Sequence, residues 1–83
     1  IAFNNRGLAY KDKGEYDLAI ADYNQAIQLN PKYALAFKNR GVAYERKGDK
    51  VKAIESYRQA LVLSQTPQVK EFAQRKLKEL EAK

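Results

Sequence analysis

The sequence predicts an all-α protein, an α-solenoid of antiparallel helix hairpins with five helices in total. The chain of 83 residues matches itself when it is shifted by 34 positions, and 15 of its first 30 residues are identical to their partners. Within each unit, apolar residues recur every three or four positions, which is the spacing of an amphipathic helix. Gly14 and Gly48 stand at the same place in both units, where a helix ends readily because glycine adopts left-handed backbone angles. A two-helix unit that repeats at this spacing indicates stacked hairpins.

Boundary residues divide each unit into two helices. After the glycine of the second unit, Asp49 is a favourable N-cap for the next helix, whereas Glu15 is a poorer one at the same place in the first unit. Asn30 and Pro31 mark the end of the first unit, and we expect Asn30 to cap a helix and Pro31 to lie in the first turn of the next. The four helices predicted in this way cover residues 1–13, 16–29, 33–47 and 50–64.

A fifth helix is predicted over residues 67–82, where Thr66 and Pro67 again combine a cap residue with a proline. One stripe of this helix is apolar and is expected to cover the end of the array, with the ammonium group of Lys76 reaching water beside it. The opposite face is polar, as the outer face of a terminal cap must be. The apolar stripe comprises Val69, Phe72, Ala73, Leu77 and Leu80, and the polar face comprises Lys70, Glu71, Gln74, Arg75, Lys78 and Glu79.

The composition excludes several kinds of chemistry. The chain has no Cys and no His, so disulfides, zinc sites that use those ligands, and catalytic pairs with a His base are all absent. Asp12, Glu15 and Asp17 flank a glycine turn next to lysines, and we expect them to be solvated capping residues and not a buried acid–base pair. No apolar run approaches the roughly 20 residues that cross a membrane. The sequence therefore predicts a protein that is not an enzyme and that holds no cofactor or metal.

Each unit has a large residue, a Gly and a Tyr on its first helix, and a small, an aromatic and a small residue on its second. These positions are Phe3, Gly7, Tyr10, Ala19, Tyr23 and Ala26, with Pro31 closing the unit, in the first unit, and Phe37, Gly41, Tyr44, Ala53, Tyr57 and Ala60 in the second. This repeated pattern resembles the tetratricopeptide repeat. The second unit departs from the family pattern at the closing proline, where Gln65 stands and Pro67 follows.

This resemblance implies a single domain over residues 1–83, with repeat one at 1–34, repeat two at 35–66 and a capping helix at 67–83. It also implies a scaffold that docks peptides or proteins and has no catalytic activity of its own. A subset of the family grips the C-terminal carboxylate of chaperone tails with Lys and Asn residues. Asn4 and Leu8 stand where two of those residues would be needed, so this ligand is not predicted.

The candidate binding site is the concave groove lined by the first helix of each unit. Apolar side chains not needed in the core stand there beside Asn residues, whose amides can both donate to and accept from an extended peptide. The resemblance implies that Asn5 and Asn39 hold the ligand backbone. The alternative is that these residues only tie adjacent helices together. Besides Ile1, the candidate groove residues are Asn4, Asn5, Leu8, Asp12, Leu35, Lys38, Asn39, Val42 and Arg46.

The net charge of +6 is distributed unevenly along the chain. Residues 1–34 are neutral, whereas residues 35–66 carry +4 and residues 67–83 carry +2. Acidic residues are mixed with the basic ones, and no aromatic residues interleave with them as nucleic-acid stacking platforms. A solvated surface is the favoured interpretation, followed by a preference for acidic peptides, and nucleic acid is disfavoured.

Three classes of function remain open from the sequence alone. They are a protein-interaction scaffold, a structural or self-associating spacer, and a basic surface for nucleic acid or anionic lipid. Ile1 falls inside the first predicted helix without a cap before it, which indicates a piece of a longer chain and leaves localisation open, with the cytoplasm favoured. Ile1, Ala2 and Ala9 should face as Ala43 does in the second unit, so a weak homodimer through this uncapped edge is also predicted.

Overall fold

A computed structural model describes residues 2–82, and all the regular elements in this range are helices. The predicted all-α solenoid of five helices is confirmed, and the described helix ends lie within one residue of the predicted ones. The predicted start at Ile1 lies outside the described residues. The helices are α1 (Ala2–Asp12), α2 (Tyr16–Leu29), α3 (Ala34–Lys47), α4 (Lys50–Leu63) and α5 (Pro67–Glu81).

The turns inside both hairpins form as the glycines predict. Gly14 and Gly48 have φ angles of 81° and 98°, in the left-handed region that a Cβ atom disfavours. The amide of Gly48 donates to the Tyr44 carbonyl at 3.0 Å, which closes the end of α3. Asp49 Oδ1 accepts a hydrogen bond from the Lys52 amide at 3.2 Å and so caps α4, as expected.

The two Xaa-Pro pairs play different structural parts, and one expectation about them was wrong. Asn30 follows the end of α2, and its side-chain oxygen accepts from the Lys32 amide at 3.3 Å. This small turn delays the next helix until Ala34, so Pro31 lies in the loop and not in the first helical turn. Pro67, by contrast, occupies the first turn of α5, where its missing N–H group costs no hydrogen bond.

The five helices form two layers. Helices α1, α3 and α5 contact one another in that order, while α2 packs on α1 and α3, and α4 packs on α3 and α5. Within residues 2–82, no Cα atom of α2 lies within 8 Å of one in α4. The even-numbered helices therefore diverge, and α1, α3 and α5 form an inner layer on the concave side.

The core of each hairpin consists of one tyrosine ring packed among small residues. Tyr23 and Tyr57 are completely buried. A Cβ atom placed on Gly7 would lie 2.6 Å from Tyr23 Cε1, and one on Gly41 would lie 2.7 Å from Tyr57 Cε1, so each glycine makes room for a ring. Fully buried alanines complete this packing: Ala19, Ala26, Ala53 and Ala60.

An arginine on the first helix of each hairpin bonds to the second helix. Arg6 donates to both carboxylate oxygens of Asp22, at 2.8 and 2.7 Å, and this hydrogen-bonded carboxylate raises the pKa of Arg6. In the second repeat Arg40 donates instead to the Ser56 hydroxyl at 3.0 Å, and burial lowers the pKa of Arg40. The two hairpins therefore share one geometry but differ in the charge at this position.

Candidate functional site

The inner layer carries an open depression between α3 and α5. Its volume is about 360 Å³. Each helix contributes three residues at the spacing i, i+3 and i+4, which places their side chains on one helix face. The residues that line it are Val42, Glu45 and Arg46 from α3, and Phe72, Arg75 and Lys76 from α5.

The Phe72 ring is surrounded by cations. Lys38 Nζ lies 5.1 Å from the ring centroid, and Arg75 Cζ lies 5.4 Å from it. Lys76 Nζ is the third, at 5.8 Å. These distances are those of cation–π contacts, in which the negative face of the ring attracts the cation. The apolar floor of the depression is therefore bordered by positive charge.

Glu45, the carboxylate that lines this depression, is already engaged by neighbouring side chains. The Tyr57 hydroxyl donates to Glu45 Oε1 at 2.9 Å, and Lys76 Nζ lies 3.5 Å from the same carboxylate. Burial of Tyr57, followed by this hydrogen bond, raises the pKa of its hydroxyl. Glu45 therefore contacts both Tyr57 and Lys76, and Lys76 Nζ also lies 3.9 Å from a carboxylate oxygen of Glu79.

Three cations at or beside the depression have no ion-pair partner among the described residues. Lys38, Arg46 and Arg75 form no ion pair with any carboxylate in the described part of the chain. Burial, and then the nearby charge of Lys11, lowers the pKa of Lys38. This part of the inner layer therefore has a surplus of positive charge beside an apolar surface.

Two of the candidate asparagines lie inside the inner layer, which differs from the sequence expectation. Asn4 and Asn39 are 2% and 3% exposed, and Asn39 Nδ2 donates to Asn4 Oδ1 at 3.0 Å. This hydrogen bond ties α1 to α3, so neither amide is open to a ligand in this conformation. The contact of Asn39 agrees with the alternative interpretation, in which this residue ties adjacent helices together. Asn5 is exposed on α1.

The remaining candidate residues fall into two places. Lys38, Val42 and Arg46 come together at the depression between α3 and α5. Leu35 lines a separate depression of about 690 Å³ near the start of α5. On α1, Leu8 is partly buried and Asp12 is exposed, and Ile1 lies outside the described residues.

The α5 side of the depression was missed by reasoning from the sequence. Phe72 was assigned to the apolar stripe of the cap and Arg75 to its outer face, yet both line the depression. Lys76 does not simply extend into water, because its ammonium group lies 3.5 Å from Glu45. Of the predicted apolar stripe, Ala73, Leu77 and Leu80 are buried, while Val69 and Phe72 pack against the same core and stay partly exposed. The spacing of Phe72, Arg75 and Lys76 was the available signal, but it does not reveal which face turns toward α3.

The two repeats differ at the tyrosine that fills each hairpin. Among the described residues, the Tyr23 hydroxyl is buried without a hydrogen-bond partner, whereas the Tyr57 hydroxyl bonds to Glu45. The counterpart of Glu45 in the first repeat is Lys11, which cannot accept a hydrogen bond. Burial is the main cause that raises the pKa of Tyr23 to about 12.

Residues 2–82 hold no group of three or more acidic side chains that could bind a metal ion together. In the same range, none of the helices combines the length and the apolar character that crossing a membrane requires.

Comparison with protein-family models agrees with the repeat and hairpin geometry. A family described as TPR repeat matches residues 7–48, and one described as Tetratricopeptide repeat matches residues 34–67. No curated protein matches the chain. These repeats are a non-catalytic fold that generally mediates protein–protein interactions. With half of its length matched by one family model and its second repeat by the other, the chain belongs to the tetratricopeptide repeat family.

Proposed function

We propose that this chain is a non-catalytic scaffold that binds a segment of a partner protein on its inner layer, across α3 and α5. The observation that carries the proposal is the open depression of about 360 Å³ between these helices. Val42 and Phe72 are partly buried there and keep part of their apolar surface available. Arg46 and Arg75 stand beside them without a carboxylate partner among residues 2–82.

This combination suits a bound peptide for physical reasons. Burial of the remaining apolar surface of Val42 and Phe72 by a ligand side chain supplies affinity, since removal of apolar area from water is favourable. The charged groups at the edge fix the orientation of the segment. Lys38 extends this surface along α3, since its Nζ lies 5.1 Å from the centroid of the Phe72 ring. The site lacks the groups of a catalytic centre, because its carboxylate, Glu45, is held by Tyr57 and Lys76.

Peptides selected against the immobilised chain from a random display library test the proposal. We expect their affinity to fall about 10-fold or more in Val42→Glu, because the added carboxylate stands in the apolar floor. Val51→Glu is the matched control, since Val51 is 70% exposed on α4 and lies outside the depression. Thermal unfolding verifies that both variants fold. Selected peptides that bind Val42→Glu as tightly as the parent would exclude this site.

A second candidate function is self-association through the face of α1 that carries Asn5 and Ala9. It is supported by a difference between equivalent residues: Ala43 is completely buried and Asn39 is 3% exposed, whereas Ala9 and Asn5 are exposed. An α1 edge with the same small side chain can pack against another helix, and the same edge of a second copy would form a closed two-fold dimer.

A further inference from the structure

We infer that the partner segment bound between α3 and α5 is acidic, with Asp or Glu side chains that pair with Arg46 and Arg75 and an apolar side chain between them that rests on Phe72. This inference rests on the proposed function and specifies the chemistry of the partner.

The balance of charge around the depression favours this class of ligand. Lys38, Arg46, Arg75 and Lys76 surround it, while the carboxylate in its lining is that of Glu45. Glu45 accepts the Tyr57 hydrogen bond and pairs with Lys76, so it leaves the two arginines uncompensated. A ligand that brings carboxylates would neutralise charges that the chain itself does not.

The position of the cations around Phe72 adds a second argument. Three cationic groups lie between 5.1 and 5.8 Å from the centroid of this one ring. The ring attracts each of them, but the like charges repel one another at the same time. A carboxylate placed among them relieves this repulsion, and the low dielectric of a partly covered apolar surface strengthens its attraction to the guanidinium groups.

The two guanidinium groups also favour an internal segment over a chain terminus. Arg46 lies on α3 and Arg75 lies on α5, at the two sides of the depression. Each can bind one carboxylate with two parallel hydrogen bonds. An internal segment supplies two carboxylates from its side chains, whereas a terminal carboxyl group supplies one. Nucleic acid fits less well, because cations already occupy the surroundings of Phe72, the stacking surface that bases would need.

Binding of a defined peptide pair tests this inference. The probe is a short peptide, acetylated and amidated at its ends, in which Asp and Glu alternate with Leu; the comparison peptide has Asn and Gln in place of the acids. We expect the acidic peptide to bind the parent chain at least about 10-fold more tightly than the neutral one. The double variant Arg46→Gln with Arg75→Gln should lose that difference. Lys70→Gln with Lys78→Gln, which removes the same charge from exposed positions of α5, should retain it.

Several results would overturn the inference. Equal binding of both peptides, or an equal loss in the control variant, would show that the arginines do not select carboxylates. If binding requires a free C-terminal carboxylate on the peptide, the ligand is a chain end and not an internal segment. If a single-stranded oligonucleotide displaces the acidic peptide with a steep salt dependence, the ligand is a nucleic acid. If one of these results is obtained while library-selected peptides still lose affinity in Val42→Glu, the inference fails and the proposed function stands. If those peptides are also insensitive to Val42→Glu, both fail.

Discussion

The hydroxyl of Tyr57 donates a hydrogen bond of 2.9 Å to Glu45, and this bond joins the buried centre of the second hairpin to the depression on the inner layer. Tyr23 occupies the same place in the first hairpin but finds no partner for its hydroxyl among residues 2–82. The two repeats thus provide a matched pair, in which one buried tyrosine is satisfied and the other is not.

Removal of the two hydroxyls should have different effects on stability. Tyr57→Phe should lower the free energy of unfolding by about 1.5–3 kcal/mol, because it removes a hydrogen bond to a charged acceptor. Tyr23→Phe should leave it unchanged or raise it, because the hydroxyl that it removes is buried without a partner. Urea denaturation of the three proteins measures the difference. Equal losses in both variants would mean that the Tyr57 bond does not contribute.

The same tyrosines should weaken the fold at alkaline pH. Burial raises the pKa of Tyr23 from 10.0 to about 12, so between these values the unfolded chain loses a proton that the folded chain keeps. This group therefore leaves the free energy of unfolding unchanged below pH 10 and lowers it as the pH rises from 10 through 12, at up to about 1.4 kcal/mol per pH unit.

Comparison with Tyr23→Phe isolates this effect from the titration of the lysines, which both proteins share. The urea midpoint of the parent should fall more steeply above pH 10 than that of the variant. Tyrosinate absorbance gives an independent measurement, since the buried hydroxyls should ionise only as the chain unfolds. Parallel pH profiles for the two proteins would contradict the raised pKa.

The contact between Gly7 and Tyr23 should reverse the usual effect of a glycine-to-alanine change in a helix. In an open helix this change stabilises by about 1 kcal/mol, through helix propensity. Here the new Cβ atom would meet the Tyr23 ring at 2.6 Å, so Gly7→Ala should destabilise by roughly 1–3 kcal/mol. Gly41→Ala should behave alike against Tyr57. A second change, Tyr23→Leu, should remove most of the penalty of Gly7→Ala in a double-mutant cycle. A stabilising Gly7→Ala would show that the rings move away freely.

The hydrogen bond between Asn4 and Asn39 should contribute to folding. Asn39→Ala should lower the free energy of unfolding by about 1–3 kcal/mol, because it leaves the Asn4 amide buried without that partner. Asn5→Ala is the matched control, since Asn5 is the repeat counterpart of Asn39 but is exposed, and it should change stability little. A double-mutant cycle with Asn4→Ala measures the coupling between the two amides. Additive losses would indicate that the pair does not interact in solution.

The fold could be predicted from the sequence because the repeat presents its signals twice. Gly14 and Gly48 each mark a turn, and Gly7 and Gly41 each leave space for a tyrosine ring, so each of these features is supported by an equivalent one 34 residues away. Pro31 was placed wrongly because a cap residue followed by Pro occurs in two settings. The proline can lie in the first turn of a helix, as Pro67 does, or in a loop, as Pro31 does.

The candidate site could be predicted only on the side that the repeat covers. Val42 and Arg46 follow from the α3 pattern, whereas Phe72 and Arg75 lie on a helix that has no counterpart in the first unit. The rotation of α5 about its axis depends on how Ala73 and its neighbours pack, and the apolar stripe alone allows more than one orientation. For Asn39 the sequence left two interpretations open, a ligand contact or a tie between helices, and the choice between them depends on whether Asn4 of α1 can accept its amide hydrogen.

The exposed face of α1 around Ala9 should allow weak association of two copies of this 83-residue chain. Ala9 is exposed, whereas its counterpart Ala43 is completely buried against the first hairpin, so this edge has the small side chain that a neighbouring helix needs.

We expect light scattering to show a mean mass that rises with concentration for the parent chain. Ala9→Arg should remain monomeric, because a long charged side chain blocks close helix packing. Gln74→Arg adds the same charge at an exposed position of α5 and should associate as the parent does. A parent chain that stays monomeric over the whole concentration range, with Ala9→Arg indistinguishable from it, would exclude this edge as an interface.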